Sequence, residues 1–204
     1  MNDAHAVETL ASPWGGGVAP FGTSWQKLMM WVFIITDGLL FAGLLASYGF
    51  VRLASPHWPD QTQVFHLQFI GVMTFILISS SATMASAVTA VREGRRALAV
   101  RFLLLTILGG LCFLGMQAYE WATFIGQGAR LYANPWGSPA FSASFFVITG
   151  FHGTHVLSGV VILGITAWRA AAGRSSKGGV ELAGLYWHFV DLVWVFVFTL
   201  FYLV

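Results

Sequence analysis

Two pairs of titratable residues stand one helical turn apart in segments otherwise built of apolar side chains. His152 and His155 lie in "TGFHGTHVLSG" (149–159), and His188 and Asp191 in "YWHFVDLVW" (186–194). An i, i+3 spacing puts both members of each pair on one face of a helix. Two further acids, Asp37 in "ITDGLLF" (35–41) and Glu120 in "MQAYEW" (116–121), complete the set. Imidazoles and carboxyls in such surroundings have three chemistries open to them: proton relay, metal or haem ligation, and hydrogen bonding between helices. Polar contacts between helices, worth ~1 kcal/mol each, are the simplest reading of the two pairs. Asp37 differs, because it stands alone on a helix face of Ile34, Phe41 and Leu44. A solitary acid in hydrocarbon is a functional candidate by default. Haem ligation as in membrane cytochromes b would use facing histidines from two helices, and no such paired arrangement is present. The carboxylate–histidine pattern of di-iron bundles is missing too.

The elements that carry these residues are set by composition. Of 204 residues, 57% are hydrophobic and only 9% charged, against about 25% charged in a soluble domain. The mean hydropathy is +0.74. Eighteen Phe and nine Trp suit a lipid core and its interfaces. A net charge of +2 gives no footing for nucleic acid. A membrane helix needs about 20 apolar residues, and five stretches qualify: 28–51, 65–91, 98–125, 140–167 and 182–204. Turn-forming linkers separate them: "SPHWPDQTQ", "REGRR", "GQGARLYANPWGSP" and "RAAAGRSSKGG". The expected fold is an all-α integral membrane bundle of five transmembrane helices, since a backbone in lipid must satisfy its own hydrogen bonds. Residues 1–26 read as a polar tail without the basic and apolar regions of a signal peptide, and 27–204 as the membrane domain.

Eight basic residues (Lys27, Arg92, Arg95, Arg96, Arg101, Arg169, Arg174, Lys177) flank one side of this bundle, and two (Arg52, Arg130) the other. Short basic loops stay cytoplasmic, which places the N-terminus inside and the C-terminus outside. Asp37 and Asp191 then share a level about 14–15 Å from the inner end at helical rise, and Glu120 belongs near the outer interface. Stripes of small residues, Ser79, Thr83 and Ala87 on the second span and Gly109, Cys112 and Gly115 on the third, are expected to bring helices close. Cys112 is read as packing.

The four quoted motifs, in this order and on these spans, resemble subunit III of the haem–copper oxidases, in the short five-helix bacterial form. The resemblance covers nearly all of residues 30–204. It implies a non-catalytic subunit of a terminal oxidase, with haems and copper held by subunit I and subunit II and none in this chain. It further implies packing against subunit I, support of proton uptake, protection of the catalytic centre during turnover, and bound phospholipid. The family's carbodiimide-reactive carboxyl maps onto Asp37, giving it a role in proton uptake. Glu120, His152, His155, His188 and Asp191 map onto other motif positions and are read as intramembrane polar contacts. The expected setting is a bacterial cytoplasmic membrane and an aerobic respiratory chain, with membership of a respiratory supercomplex left open. A quinol oxidase, or the subunit-III-like companion of a nitric oxide reductase, shares these motifs. A proton-coupled transporter is the distant alternative, disfavoured by the absence of an inverted repeat.

Overall fold

A computed structural model describes residues 23–174 and 176–203; residues 1–22, most of the polar tail, lie outside the described part. Five long helices dominate: α1 (Trp25–Ala54), α2 (Leu67–Arg92), α3 (Arg96–Gly126), α4 (Pro139–Ala171) and α5 (Lys177–Val197). A single turn, Gln61–Val64, sits in the first connector, and α5 widens into a π-helical segment at Phe198–Leu203. With that segment counted, every helix has 26 to 33 residues. At 1.5 Å per residue even the shortest reaches about 39 Å, enough to cross the ~30 Å hydrocarbon layer.

The sequence explains where these helices begin and end. Ser24 and Ser176 cap α1 and α5, their hydroxyls accepting from the backbone N–H of Lys27 and Gly179. Pro139 occupies the first turn of α4, where its missing N–H costs nothing. Helices α2 and α4 close the same way. Gly94 (φ 75°) and Gly173 (φ 72°) take left-handed conformations, and the next residue's N–H returns five positions, Arg95 to Ala90 and Arg174 to Arg169.

Helices α2, α3, α4 and α5 form the core, and α1 lies outside it, against α5 and α4. Of the most apolar stretch of α5, 56% is buried, compared with 11% for α1. The helix carrying Asp37 is thus the peripheral one, and the helix carrying His188 and Asp191 the central one.

The helices alternate in direction, so the basic residues of the short connectors gather at one end. There Glu181 of α5 accepts from Arg92 at 2.8 Å and lies 3.4 Å from Lys27. Lys177 reaches the carbonyl of Arg92, and Arg96 those of Ala170 and Ala171. The opposite end is closed by aromatic rings, with Phe65 packed against Phe124, Phe141, Phe145, Phe201 and Tyr202.

The small-residue stripe on α3 is rotated from its expected face. Gly109 and Gly110 make the close approaches, to Ser80 and to Trp187, while Cys112 is exposed and Gly115 faces open space. Two adjacent glycines, not an interval of three, mark the seam, because α3 must clear both a serine on α2 and an indole on α5.

Candidate functional site

The six intramembrane titratable residues fall into separate places. Asp37 of α1 is 9% exposed and meets His155 of α4, whose Nε2 lies 3.3 Å from Asp37 Oδ2. The other ring nitrogen, Nδ1, is 2.8 Å from the Phe151 carbonyl one turn earlier. A carbonyl only accepts, so Nδ1 carries hydrogen. Nε2 and the carboxyl then face one another attractively only with a proton between them, either as imidazolium and carboxylate or as imidazole and carboxylic acid. The rings of Phe41 and Phe151 pack on His155 at 5.2 and 4.6 Å and hold it there. Asp37, alone on its own helix, is therefore half of an interhelical pair.

His152, one turn from His155, has a different fate. It is wholly buried, with neither ring nitrogen hydrogen-bonded. Trp194 lies against it at 5.0 Å, with Phe113 and Phe41 edge-on. Among the described residues no group of three or more His, Cys, Asp or Glu side chains is arranged to hold a metal ion.

His188 and Asp191 share a face of α5 but do not hydrogen-bond each other. His188 Nδ1 contacts Ser81 Oγ of α2 at 2.5 Å. Asp191 is 5% exposed, and neither carboxyl oxygen has a hydrogen-bond partner. The same face carries two tryptophans that read the polar residues of α2: Trp187 Nε1 donates to Ser80 Oγ at 3.0 Å and Trp194 Nε1 to Thr74 Oγ1 at 2.9 Å.

Glu120 accepts from the Tyr202 hydroxyl at 3.2 Å, and its residue lines a cavity of about 230 Å³ with His66, Phe69 and Gln127. One turn earlier, Gln117 donates to the Thr149 carbonyl at 2.6 Å, and Trp121 donates to the Thr149 hydroxyl at 3.1 Å. The "MQAYEW" motif is thus split: Gln117 and Trp121 grip α4, while Glu120 turns to the end of α5.

Residues not singled out from sequence complete the arrangement: Ser81, Thr149, Trp187 and, in the first connector, Gln61. The Gln61 amide is buried and donates to Tyr48 Oη at 2.9 Å and the Phe201 carbonyl at 3.1 Å, tying α1 to the π-helical end of α5. Phe201 lies in the last turn of that segment, where carbonyls have no partner within the helix. Gln61→Leu keeps the volume but strands both partners, so a loss of about 1–3 kcal/mol is expected, read as a lowered unfolding midpoint in detergent. Nothing local in "PDQTQ" distinguishes Gln61 from Gln63, whose side-chain amide donates to nearby Asp60.

The profile of the family described as cytochrome c oxidase subunit III matches residues 16–204. A cytochrome c oxidase subunit 3 of Synechocystis sp. is 36% identical over 178 residues, covering 84% of this chain and 72% of that protein. The corresponding protein of Thermostichus vulcanus is 34% identical over 182 residues, 87% of each chain. A probable quinol oxidase subunit 3 of Staphylococcus saprophyticus is 33% identical over 187 residues, 88% of this chain and 89% of that one.

Proposed function

The chain belongs to the cytochrome c oxidase subunit III family, and from that premise we propose how this multi-pass, non-catalytic subunit of a haem–copper terminal oxidase serves its complex. It packs against subunit I, with subunit II in the same assembly, and those partners hold the haems and copper. Its role is to support proton uptake by the catalytic subunit and to preserve that subunit through turnover. The setting is a bacterial cytoplasmic membrane.

The single observation that supports the proton role is the Asp37–His155 contact across α1 and α4. A carboxyl and an imidazole in contact, the former on the least buried helix of the bundle, are the kind of groups that carry a proton between them. The orientation follows from charge: with eight basic residues at one end and two at the other, the former faces the cytoplasm. The N-terminus and the tail 1–26 are then inside and the C-terminus outside. A phospholipid chain occupies the apolar groove between α1 and α5, a space of about 420 Å³ lined by Phe41, Leu45, Phe189, Val193 and Phe196. In hydrocarbon such a groove is filled by acyl chain, not water.

Cytochrome c is the electron donor in this reading. Quinol is the second reading, because the staphylococcal relative named a probable quinol oxidase subunit is nearly as similar as the two cytochrome c oxidase subunits. Affinity purification through a tag on this chain tests the assembly and the donor together. The complex should carry haem bands contributed by its partners and oxidise reduced cytochrome c. Oxidation of quinol alone selects the second reading, and a colourless preparation without oxidase partners removes both. In the assembled complex, Asp37→Ala should slow proton uptake or shorten turnover lifetime roughly tenfold, about 1.4 kcal/mol in barrier terms. Unchanged uptake and lifetime would take Asp37 out of the mechanism.

A further inference from the structure

A cavity of about 230 Å³ opens between the start of α2 and the last turns of α3, at the end of the bundle opposite the basic cluster. Four of its lining residues are aromatic, and they pair across the seam. Phe65 meets Phe124 edge-on at 5.3 Å, and Phe69 meets Tyr119 at 5.7 Å. Tyr119 is 66% exposed, so this wall of the cavity faces outward. The buried Glu120 carboxyl lines the same space. Tyr202 donates to its Oε2 at 3.2 Å, whereas Oε1 has no hydrogen-bond partner and is not sealed in by other atoms. Among the described residues no Lys, Arg or His forms an ion pair with Glu120.

Glu120 stands six residues before the end of α3, about 9 Å at helical rise. The 31 residues of α3 span about 46 Å, which puts that depth at the edge of a ~30 Å hydrocarbon layer. A carboxylate there is costly on its own, and such acids are ordinarily paired. The helix ends do not provide the counter-charge. The carbonyl end of α3 and the N–H end of α2 meet at the cavity, and their dipoles oppose one another.

We propose that this cavity binds an ammonium head group, primary or quaternary, with Glu120 as its counter-ion. The site is separate from the apolar groove between α1 and α5 and does not rest on the role given to Asp37. Aromatic faces attract a cation held within about 6 Å of the ring centre, and the Glu120 carboxylate supplies the full charge. Thr123, whose hydroxyl donates to the Tyr119 carbonyl, keeps lone pairs that can accept from an N–H. At about 30 Å³ per water-sized group, the space admits a head of several non-hydrogen atoms. Two sources share this chemistry, the amine of a phospholipid head group and a small soluble amine. An anion fits badly, because Glu120 repels it. An acyl tail fits badly too, because it leaves Oε1 without a partner.

Exchange of the purified oxidase complex, full chain included, into phosphatidylglycerol nanodiscs gives an amine-free starting point. In one arm part of the lipid is replaced by phosphatidylethanolamine. In the other, ethanolamine is titrated, with sodium chloride at equal ionic strength as the blank. Native mass spectrometry counts the aminophospholipid retained, and the thermal unfolding midpoint follows occupancy in both arms. The wild-type complex should unfold at a higher midpoint as amine is added. Glu120→Gln still accepts from Tyr202 and should assemble, yet it should need at least about tenfold more amine for half the midpoint rise. Tyr119→Leu alters only an exposed ring and should need about threefold more. Sites elsewhere in the complex respond alike in wild type and variant, so the difference belongs to this cavity. A Glu120-dependent response in the lipid arm places a head group there, and one in the ethanolamine arm alone a soluble amine; either supports the proposal. Equal retention and equal midpoints in wild type and Glu120→Gln overturn it, as does the lack of any response to either amine. Should Glu120→Gln fail to assemble, an unchanged half-point in Tyr119→Leu overturns it by itself.

Discussion

Gly110→Leu should stop the bundle from closing, with the subunit lost from the purified complex. A Cβ at Gly110 would lie 2.5 Å from Trp187 Cη2 and 2.8 Å from Val160 Cγ2, well inside van der Waals contact before any further atom of the leucine is added. The indole has nowhere to retreat. On its other side a Cβ at Gly159 would be 2.8 Å from Trp187 Cε3, and its Nε1 is tied to Ser80. Trp187 is wholly buried at the meeting of α2, α3, α4 and α5, so any shift opens three seams together. Overpacking of a tight core typically costs about 1–3 kcal/mol, and a whole leucine in a slot without room for one carbon belongs at or above the upper end. Thermal unfolding in detergent and subunit recovery measure it. Cys112→Leu, two residues on and exposed, is the control and should change little. Combining Gly110→Leu with Trp187→Ala should recover part of the loss, since the vacated indole leaves space for the new side chain; no recovery would place the damage elsewhere than at this slot.

That slot marks the limit of what the sequence could tell. Five apolar stretches, their polar linkers and the motif order are properties of the chain read locally, and they yield helices close to those observed. Partners across helices are not local. The i, i+3 spacing of His188 and Asp191 puts them on one face, yet the hydroxyl that His188 meets belongs to Ser81, 107 residues away. Asp37 stands alone when only α1 is read, and becomes half of a pair only once α4 is laid against it. The interval-of-three stripe through Gly109, Cys112 and Gly115 predicts a seam, but an indole from α5 fixes the rotation of α3 and selects Gly110. The connector between α1 and α2 likewise gives no sign that α1 docks on α5 and α4. In a membrane, where hydrophobicity does not distinguish the inner face of a helix from its outer face, the polar and small residues carry that information, and they carry it in pairs that one strand of sequence leaves unmatched.

The pair Asp37 and His155 can be separated into a structural part and a proton-handling part by a double-mutant cycle. His155→Leu leaves the Asp37 carboxyl buried without its imidazole. Removing one member of a buried pair costs about 3–5 kcal/mol, and a loss on that scale is expected in the unfolding midpoint of the complex. Asp37→Leu should cost less, about 1–2 kcal/mol, because His155 keeps its bond to the Phe151 carbonyl and its ring contacts with Phe41 and Phe151. The double variant Asp37→Leu with His155→Leu removes both polar groups and puts leucines of similar bulk against Phe41, so most of the stability should return, as it does when buried ion pairs are replaced by apolar residues. Proton uptake should not return, because leucines carry no exchangeable proton. Stability and uptake therefore move apart in the double variant if the pair handles protons, and move together if it only holds α1 to α4. A pH-indicator measurement of uptake on the same samples used for unfolding decides between them: full recovery of uptake with stability would reduce Asp37 and His155 to a fastening between two helices.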